Sequence, residues 1–289
     1  MFNIRYLVFV FTMLFFSYQG MAADSPNWKF KANFLTTGKA KIDEIGRKNE
    51  RISYSFSEGE VSYTHHLDKE NALSFDLGYS LTEVDWKNNP SFKETMFSYL
   101  KLSLGGSSTL INDWVWTGKI DASIDSKEMN FSHYALYNGT MWGRYSLSQI
   151  IGIHIGLTGT TGLKRDKCYP ILGIDYVPNA RWKIHVIFPL NLSAIYSIND
   201  HWSLSASGRT FRSRHRLSQK EIVSKGIFDY RTYGTELSLI FQLNNFSAKA
   251  YTGSTYSGDL KITDSKNLNP RFYNYKGVIY LGGNLSYYF

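Results

Sequence analysis

The chain has 289 residues, a formal net charge of +8 and a single cysteine. One cysteine excludes an internal disulfide framework. The sequence contains no helix-turn-helix, zinc-finger or RNA-recognition motif that would direct the basic charge to nucleic acid, so the charge predicts anionic partners of another kind.

The N-terminus predicts a secretory signal peptide over residues 1–22. Arg5 precedes an apolar run at 7–16, and the small-x-small sequences around Ala22 and Ala23 fit a cleavage site. The run is too short for a membrane-spanning helix, and no later run is long enough either. A membrane location would therefore require strands closed into a barrel.

From residue 27 onward, apolar and polar residues alternate with a period of two, as in strands with one apolar face. The first strand begins at Trp28. In the second, over 51–65, the apolar positions are even up to Phe56 and odd from Val61. A β-bulge at Gly59 is predicted to account for this switch.

Short and long connections alternate along the chain. The short turns lie at 68–71, 111–113, 148–149, 178–180, 199–200 and 244–245. The other connections are mostly long and polar, with basic loops at 160–167 and 212–226 and a further loop at 258–274. This asymmetry is typical of transmembrane antiparallel up-and-down β-barrels of the outer membrane. The sequence predicts one all-β barrel over 23–289 with about 14 strands, or 12 if the tight hairpin at 182–196 does not span.

The last strand carries Ile279, Leu281, Leu285 and Tyr287 on one parity and ends on Phe289. This ending resembles the C-terminal signature of bacterial outer-membrane barrels, which implies contact with the barrel assembly machinery. We expect the strand to pair with the first one. Aromatic rings at the short-turn rim are predicted to form a girdle at the membrane interface. Its members are Trp114, Trp182, Trp202, Tyr287 and Phe289.

Charged side chains occupy the parity that faces the predicted lumen. The basic ones are Lys29, Lys31, Lys101, Lys119, Arg144, Lys183 and Arg209, and the acidic ones are Asp76, Asp121, Asp175 and Glu236. An open lumen with this excess of cations would favour anions. Alternatively, the charges pair across the lumen and close it, which a barrel of this size permits.

The sequence predicts no metal site and no cofactor, because its histidines do not have ligand spacing and there is one cysteine. The stretch 131–146 is similar to the strand that carries His and Ser in outer-membrane phospholipase A and lipid A deacylases. That similarity makes His133 the suspected catalytic residue. However, Asn138 is more distant than in those families, and no serine takes the expected position to form a nucleophile–base pair.

Four short motifs carry a family resemblance: PILGIDY at 170–176, RWKI at 181–184, FP at 188–189 and NDHWSL at 199–204. They resemble a group of outer-membrane barrels catalogued as domain of unknown function 6268. The resemblance implies the fold and a location in the outer membrane of a Gram-negative bacterium, but no activity. We predict a passive or gated pore for small anionic solutes, in contact with outer-membrane lipid and lipopolysaccharide. A lipid-modifying hydrolase and a structural or adhesive surface barrel are the alternatives.

Overall fold

The structure is a computed structural model that describes residues 27–43, 50–111, 113–131 and 133–289. The predicted signal peptide lies outside the described residues. The strands are β1 (Trp28–Thr37), β2 (Ala40–Lys41), β3 (Arg51–His66), β4 (Asn71–Trp86), β5 (Met96–Ile111), β6 (Trp114–Asp125), β7 (Ala135–Ser146), β8 (Ile151–Gly162), β9 (Lys167–Asn179), β10 (Trp182–Phe188), β11 (Asn191–Ser197), β12 (Trp202–Arg216), β13 (Ile227–Leu243), β14 (Phe246–Thr263), β15 (Arg271–Lys276) and β16 (Ile279–Tyr288). The described residues include no helix with the length and apolar character needed to cross a bilayer.

All strands belong to one antiparallel sheet that closes on itself. β1 and β2 lie one after the other along β3, and β15 and β16 do the same along β14, so each pair forms one interrupted wall strand. The closed barrel therefore has 14 strands. The 12-strand alternative is wrong, because the short β10 and β11 pair with each other and with β9 and β12.

The first and last strands close the barrel, as predicted. Trp28 N donates to Phe289 O at 3.0 Å, and Phe289 N donates to Trp28 O at 2.9 Å. Both described termini lie with the short turns at one end of the barrel, which we call the turn end. The longer connections lie at the opposite loop end, which faces outside in outer-membrane barrels.

The outer wall carries an apolar band next to the turn end. On β4, Leu73, Phe75 and Leu77 face outward and are 38%, 50% and 55% exposed, whereas Glu83 and Asp85 follow on the same face. β14 has 18 residues. At about 3.3 Å per residue such a strand is far longer than an apolar band of about 25 Å requires, even when it is tilted. The tall strands β3–β5 and β12–β14 therefore rise above the band at the loop end.

The interior of this raised part is apolar, and this corrects the prediction of a bulge at Gly59. β3 pairs with β1 and β4 without any shift of register around that residue. Ile52 and Tyr54 are 2% and 5% exposed and face the interior, while Val61 lies on the opposite, outward face of the strand. The apparent change of parity has another cause: the apolar residues face lipid in the band and face the interior above it.

Aromatic side chains fill the interior at the loop end. We call them the aromatic plug; they are Tyr54, Trp86, Phe92, Phe97, Tyr99, His215, Phe228, Tyr230, Tyr273 and Tyr275. Tyr54 of β3 stacks on Tyr230 of β13 with ring centroids 4.5 Å apart, and Tyr99 of β5 stacks on His215 of β12 at 4.6 Å. Opposite walls of the barrel are thus in direct contact.

Two segments that we predicted as loops belong to these tall strands. Arg212 and Arg216 lie on β12, and residues 258–263 complete β14. Both segments lack an outward apolar parity because they rise above the membrane band, and the predicted strands depend on that parity.

Glycines on β14 and β16 give the interior tyrosines their space. Gly258 lies opposite Tyr275, and Gly282 lies opposite Tyr251. A Cβ atom at either glycine would overlap the ring of the tyrosine opposite. An aromatic ring that packs over a glycine of the neighbouring strand helps to fix the register of the two strands.

Candidate functional site

The half of the lumen inside the apolar band is lined with charge. The structure brings nine of the predicted lumen residues into ion pairs within the barrel: Lys31, Lys101, Lys119, Arg144, Arg209, Asp76, Asp121, Asp175 and Glu236. Two others lie near the turn end without such a pair among the described residues. The Lys29 ammonium donates to the Tyr288 hydroxyl, and Lys183 is exposed.

One group of pairs joins β1 and β3–β6. Lys31 Nζ lies 2.6 Å from Glu60 Oε1, and Lys101 pairs with Glu58. Lys119 Nζ lies 2.8 Å from Asp76 and 3.2 Å from Asp121. Each ion pair joins two strands or two neighbouring inward positions of one strand. The paired side chains therefore lie along the inner wall of the barrel.

Glu236 has the most buried carboxylate of these pairs. Its side chain is 1% exposed, and it lies 2.9 Å from Arg209 Nε and 2.7 Å from Lys249 Nζ. Ser207 Oγ also donates to Glu236 at 3.1 Å. The Arg209 guanidinium lies over the ring of Tyr251, 4.2 Å from its centroid. At this level of β12–β14, the charged lining meets the aromatic plug.

Asp175 has three basic neighbours. His185 Nδ1 lies 2.6 Å from one carboxylate oxygen, and His154 Nε2 and Arg144 Nε lie 2.9 and 3.1 Å from the other. Gly152 leaves room for Arg144, since a Cβ there would approach the guanidinium to 3.2 Å. The described residues contain no group of three or more His, Cys, Asp or Glu side chains suited to hold a metal ion.

Sequence reasoning missed five partners in this network. They are Glu58, Glu60, Lys249, His154 and His185. The assumed bulge in β3 hid the two glutamates, which lie on the inward parity once β3 is taken as one regular strand. Lys249 alternates with Ala248 and Ala250, so the same parity rule would have found it.

A cavity of about 420 Å³ lies inside this charged half. Its wall includes Lys31, Lys101, Lys249 and Glu58. Asn284 also borders it, and the Oδ1 atom of Asn284 is buried without a hydrogen-bond partner among the described residues. The cavity therefore presents ammonium groups that are paired with carboxylates, together with an amide oxygen that can accept a hydrogen bond.

The aromatic plug separates this cavity from the loop end. Phe92, from the loop between β4 and β5, is 2% exposed and lies 5.4 Å from the ring of Phe228. Its loop is tied to the loop between β12 and β13, because Val223 N donates to Ser91 O and Lys93 N donates to Glu221. The cavity and the plug together form a lumen that is charged at one end and closed at the other.

The suspected catalytic residue, His133, lies outside the lumen. It is exposed in the loop between β6 and β7, and its carbonyl accepts a hydrogen bond from Arg216 Nε at 2.7 Å. The structure therefore places His133 far from the acidic side chains of the lumen, at the loop end.

The five predicted girdle residues lie at the turn end. Trp182 packs on Tyr196 with ring centroids 5.1 Å apart, and Trp202 packs on Phe241 at 4.8 Å. The others have ring neighbours of the same kind: Trp114 with Tyr145 at 5.4 Å and Tyr287 with Phe289 at 6.0 Å. Aromatic rings thus follow this rim of the wall.

Comparison with known proteins agrees with the fold. The chain is 24% identical over 272 residues to an uncharacterized protein of Chlamydia pneumoniae, covering 88% of this chain and 84% of that protein. It is 22% identical over 279 residues to an uncharacterized protein of Chlamydia trachomatis, covering 91% and 87%. The COG4313 outer membrane channel from Pseudomonas putida F1 superposes with a TM-score of 0.51 at 7% identity, covering 94% of this chain and all of that one. A family model matches residues 67–288, and the chain belongs to that family, described as domain of unknown function DUF6268.

Proposed function

We propose that this protein is a gated outer-membrane channel for small anionic solutes, with the aromatic plug as its gate. The observation that carries the proposal is the charged cavity inside the apolar band, which ends against packed aromatic rings. The chain reaches the outer membrane of a Gram-negative cell after removal of residues 1–22. The barrel assembly machinery inserts it through the strand that ends at Phe289.

The charge of the lumen supports a polar solute. Burying ion pairs is costly, and a purely structural barrel would be as stable with apolar side chains in their place. Basic side chains outnumber acidic ones in this half of the lumen, counting Lys29, Lys183 and Lys249 with the paired residues. A wall with an excess of cations lowers the barrier for anions.

Conductance across a planar bilayer tests the proposal. We expect brief openings of the purified barrel. In a potassium chloride gradient, the reversal potential should be shifted from zero toward the equilibrium potential of chloride, as in an anion-selective channel. Lys183→Gln should move the reversal potential toward zero without loss of folded protein, because Lys183 is exposed and has no ion pair among the described residues. Lys87→Gln, on the loop between β4 and β5, is the control. Cation selectivity of the wild-type channel would contradict the proposal.

A second candidate function is ester hydrolysis in the lumen, and one arrangement favours it. In the strand register, His185 of β10 lies opposite Asp175 of β9 and Ser193 of β11, all on the inward face. Ser193 Oγ could attack an acyl carbon while its proton passes to His185 Nε2, and Asp175 orients the ring. The leaving alcohol takes the proton, and water then releases the acid.

A fluorophosphonate probe tests this second function. We expect covalent labelling of the wild-type barrel at Ser193, and loss of labelling in Ser193→Ala and His185→Asn. Ser205→Ala is the control, since Ser205 is an equally buried serine on the neighbouring β12. If the wild type remains unlabelled, hydrolysis at this row of residues is ruled out.

A further inference from the structure

The lipid-facing wall contains a groove between β10 and β16. Its volume is about 610 Å³. Small residues, Ala194, Ala206 and Gly208, form its floor, and the exposed Leu237 and Ile279 also line it. A flat barrel wall would present only side chains of similar size here. The groove is therefore an apolar hollow into which an acyl chain can be laid.

Two arginines lie beyond the groove in the direction of the loop end. Arg212 on β12 is the direct cross-strand partner of Arg231 on β13, and both face outward. Like charges in direct opposition destabilise a sheet unless an anion lies between them. On its other side, Arg231 has Asp259 of β14 as partner, so one acid and two cations share this level of the wall.

The neighbouring level is also rich in cations. Asp229 Oδ2 lies 2.6 Å from Arg214, 2.9 Å from Arg165 and 3.4 Å from Arg212. One carboxylate therefore serves three guanidinium groups. The Nε atoms of Arg165 and Arg214 and the Oδ1 atom of Asp229 are all buried without a hydrogen-bond partner among the described residues. With three guanidinium groups around one carboxylate, the cluster has a surplus of positive charge, which fits a phosphate group.

The spacing of the two features fits one ligand. Gly208 and Arg212 share the outward face of β12, about 13 Å apart at roughly 3.3 Å per residue. The groove thus lies in the apolar band, and the arginines lie at its boundary on the loop side. A molecule with a phosphate at the surface and acyl chains in the bilayer would contact both.

We propose that this wall binds the phosphorylated, acylated glycolipid of the outer leaflet, the lipid A part of lipopolysaccharide. The phosphate lies on Arg212 and Arg231, and an acyl chain lies in the groove over Gly208. The loop end faces outside in outer-membrane barrels, which selects the outer-leaflet lipid over the phospholipids of the inner leaflet.

Native mass spectrometry of the detergent-purified barrel tests the proposal with three probes: diphosphoryl lipid A, its dephosphorylated form and phosphatidylglycerol. We expect the wild type to retain diphosphoryl lipid A at least tenfold better than either of the others. The double variant Arg212→Gln/Arg231→Gln should lose this preference. Arg181→Gln, in a turn at the opposite end, should keep it.

A second variant separates the groove from the charge. Gly208→Leu fills the groove, and its Cβ meets only Leu192 at 3.5 Å, so the fold tolerates it. It should weaken binding of all three lipids several-fold, whereas Gly118→Leu, in open space on β6, should not. Equal retention of the three lipids by the wild type, or an unchanged preference in the double arginine variant, would overturn the proposal.

Discussion

Replacement of Phe92 by alanine should produce a barrel that is open far more often than the wild type. Phe92 is 2% exposed, and its ring packs 5.4 Å from Phe228 and 6.0 Å from Phe97. Removing a buried phenylalanine side chain costs about 3–5 kcal/mol. If this cost falls on the closed state, the closed-to-open ratio falls at least about a hundredfold, since about 1.4 kcal/mol is a factor of ten.

Single-channel recording measures this as open probability. Met129→Ala is the matched control, because Met129 lies in a neighbouring loop at the same end but is 66% exposed. Heat-dependent mobility in detergent gels should show that both variants are folded barrels. An open probability of the Phe92 variant equal to that of the Met129 variant would mean that the plug is not the gate.

Glu236→Gln should be the most destabilising single change in the lumen. It removes the negative charge that Arg209 and Lys249 share and leaves both cations beside a neutral amide, in a place where the carboxylate is 1% exposed. Breaking a buried ion pair by removing one partner typically costs about 3–5 kcal/mol. We expect a loss of this order in the free energy of unfolding.

Urea unfolding of the detergent-solubilised barrel, followed by tryptophan fluorescence, measures the loss. Glu83→Gln is the control, because Glu83 is an exposed residue on the outer face of β4. The double change Glu236→Gln/Lys249→Gln should recover part of the loss by removing one of the two unpaired cations. Equal stability of the Glu236 and Glu83 variants would show that water screens the pairs of the lumen.

The local pattern of residues was sufficient for the wall of the barrel. Alternation with a period of two is a property of each strand alone, and turn length is a property of each connection alone. They predicted a closed antiparallel barrel of about 14 strands, with 12 as the alternative, and the pairing of the Trp28 strand with the last strand; the structure has 14 strands and this pairing. They also assigned Lys101, Asp175 and Glu236 to the inward face, where the structure has them in ion pairs.

The same pattern failed above the membrane band. There the apolar face of a strand points to the interior of the barrel, whereas within the band it points to lipid. Tyr54 and Phe56 face the interior of the barrel and pack there against other strands. From the sequence alone, their parity was explained by a bulge at Gly59. His215 looked like part of a basic loop, although it stacks between Tyr99 and Phe97 in the plug.

The sequence alone was enough to predict an antiparallel outer-membrane barrel and the inward parity of its charged residues, because these follow from neighbours along the chain; the choice between 14 and 12 strands required the pairing of β10 and β11. That the loop end is closed became evident only in the folded barrel. The closure consists of contacts between opposite walls, such as Thr82 with Ser213 across 131 residues of sequence. No local periodicity encodes which distant strand will face another, so the plug, the pairing of the lumen charges and the groove on the lipid face required the assembled barrel.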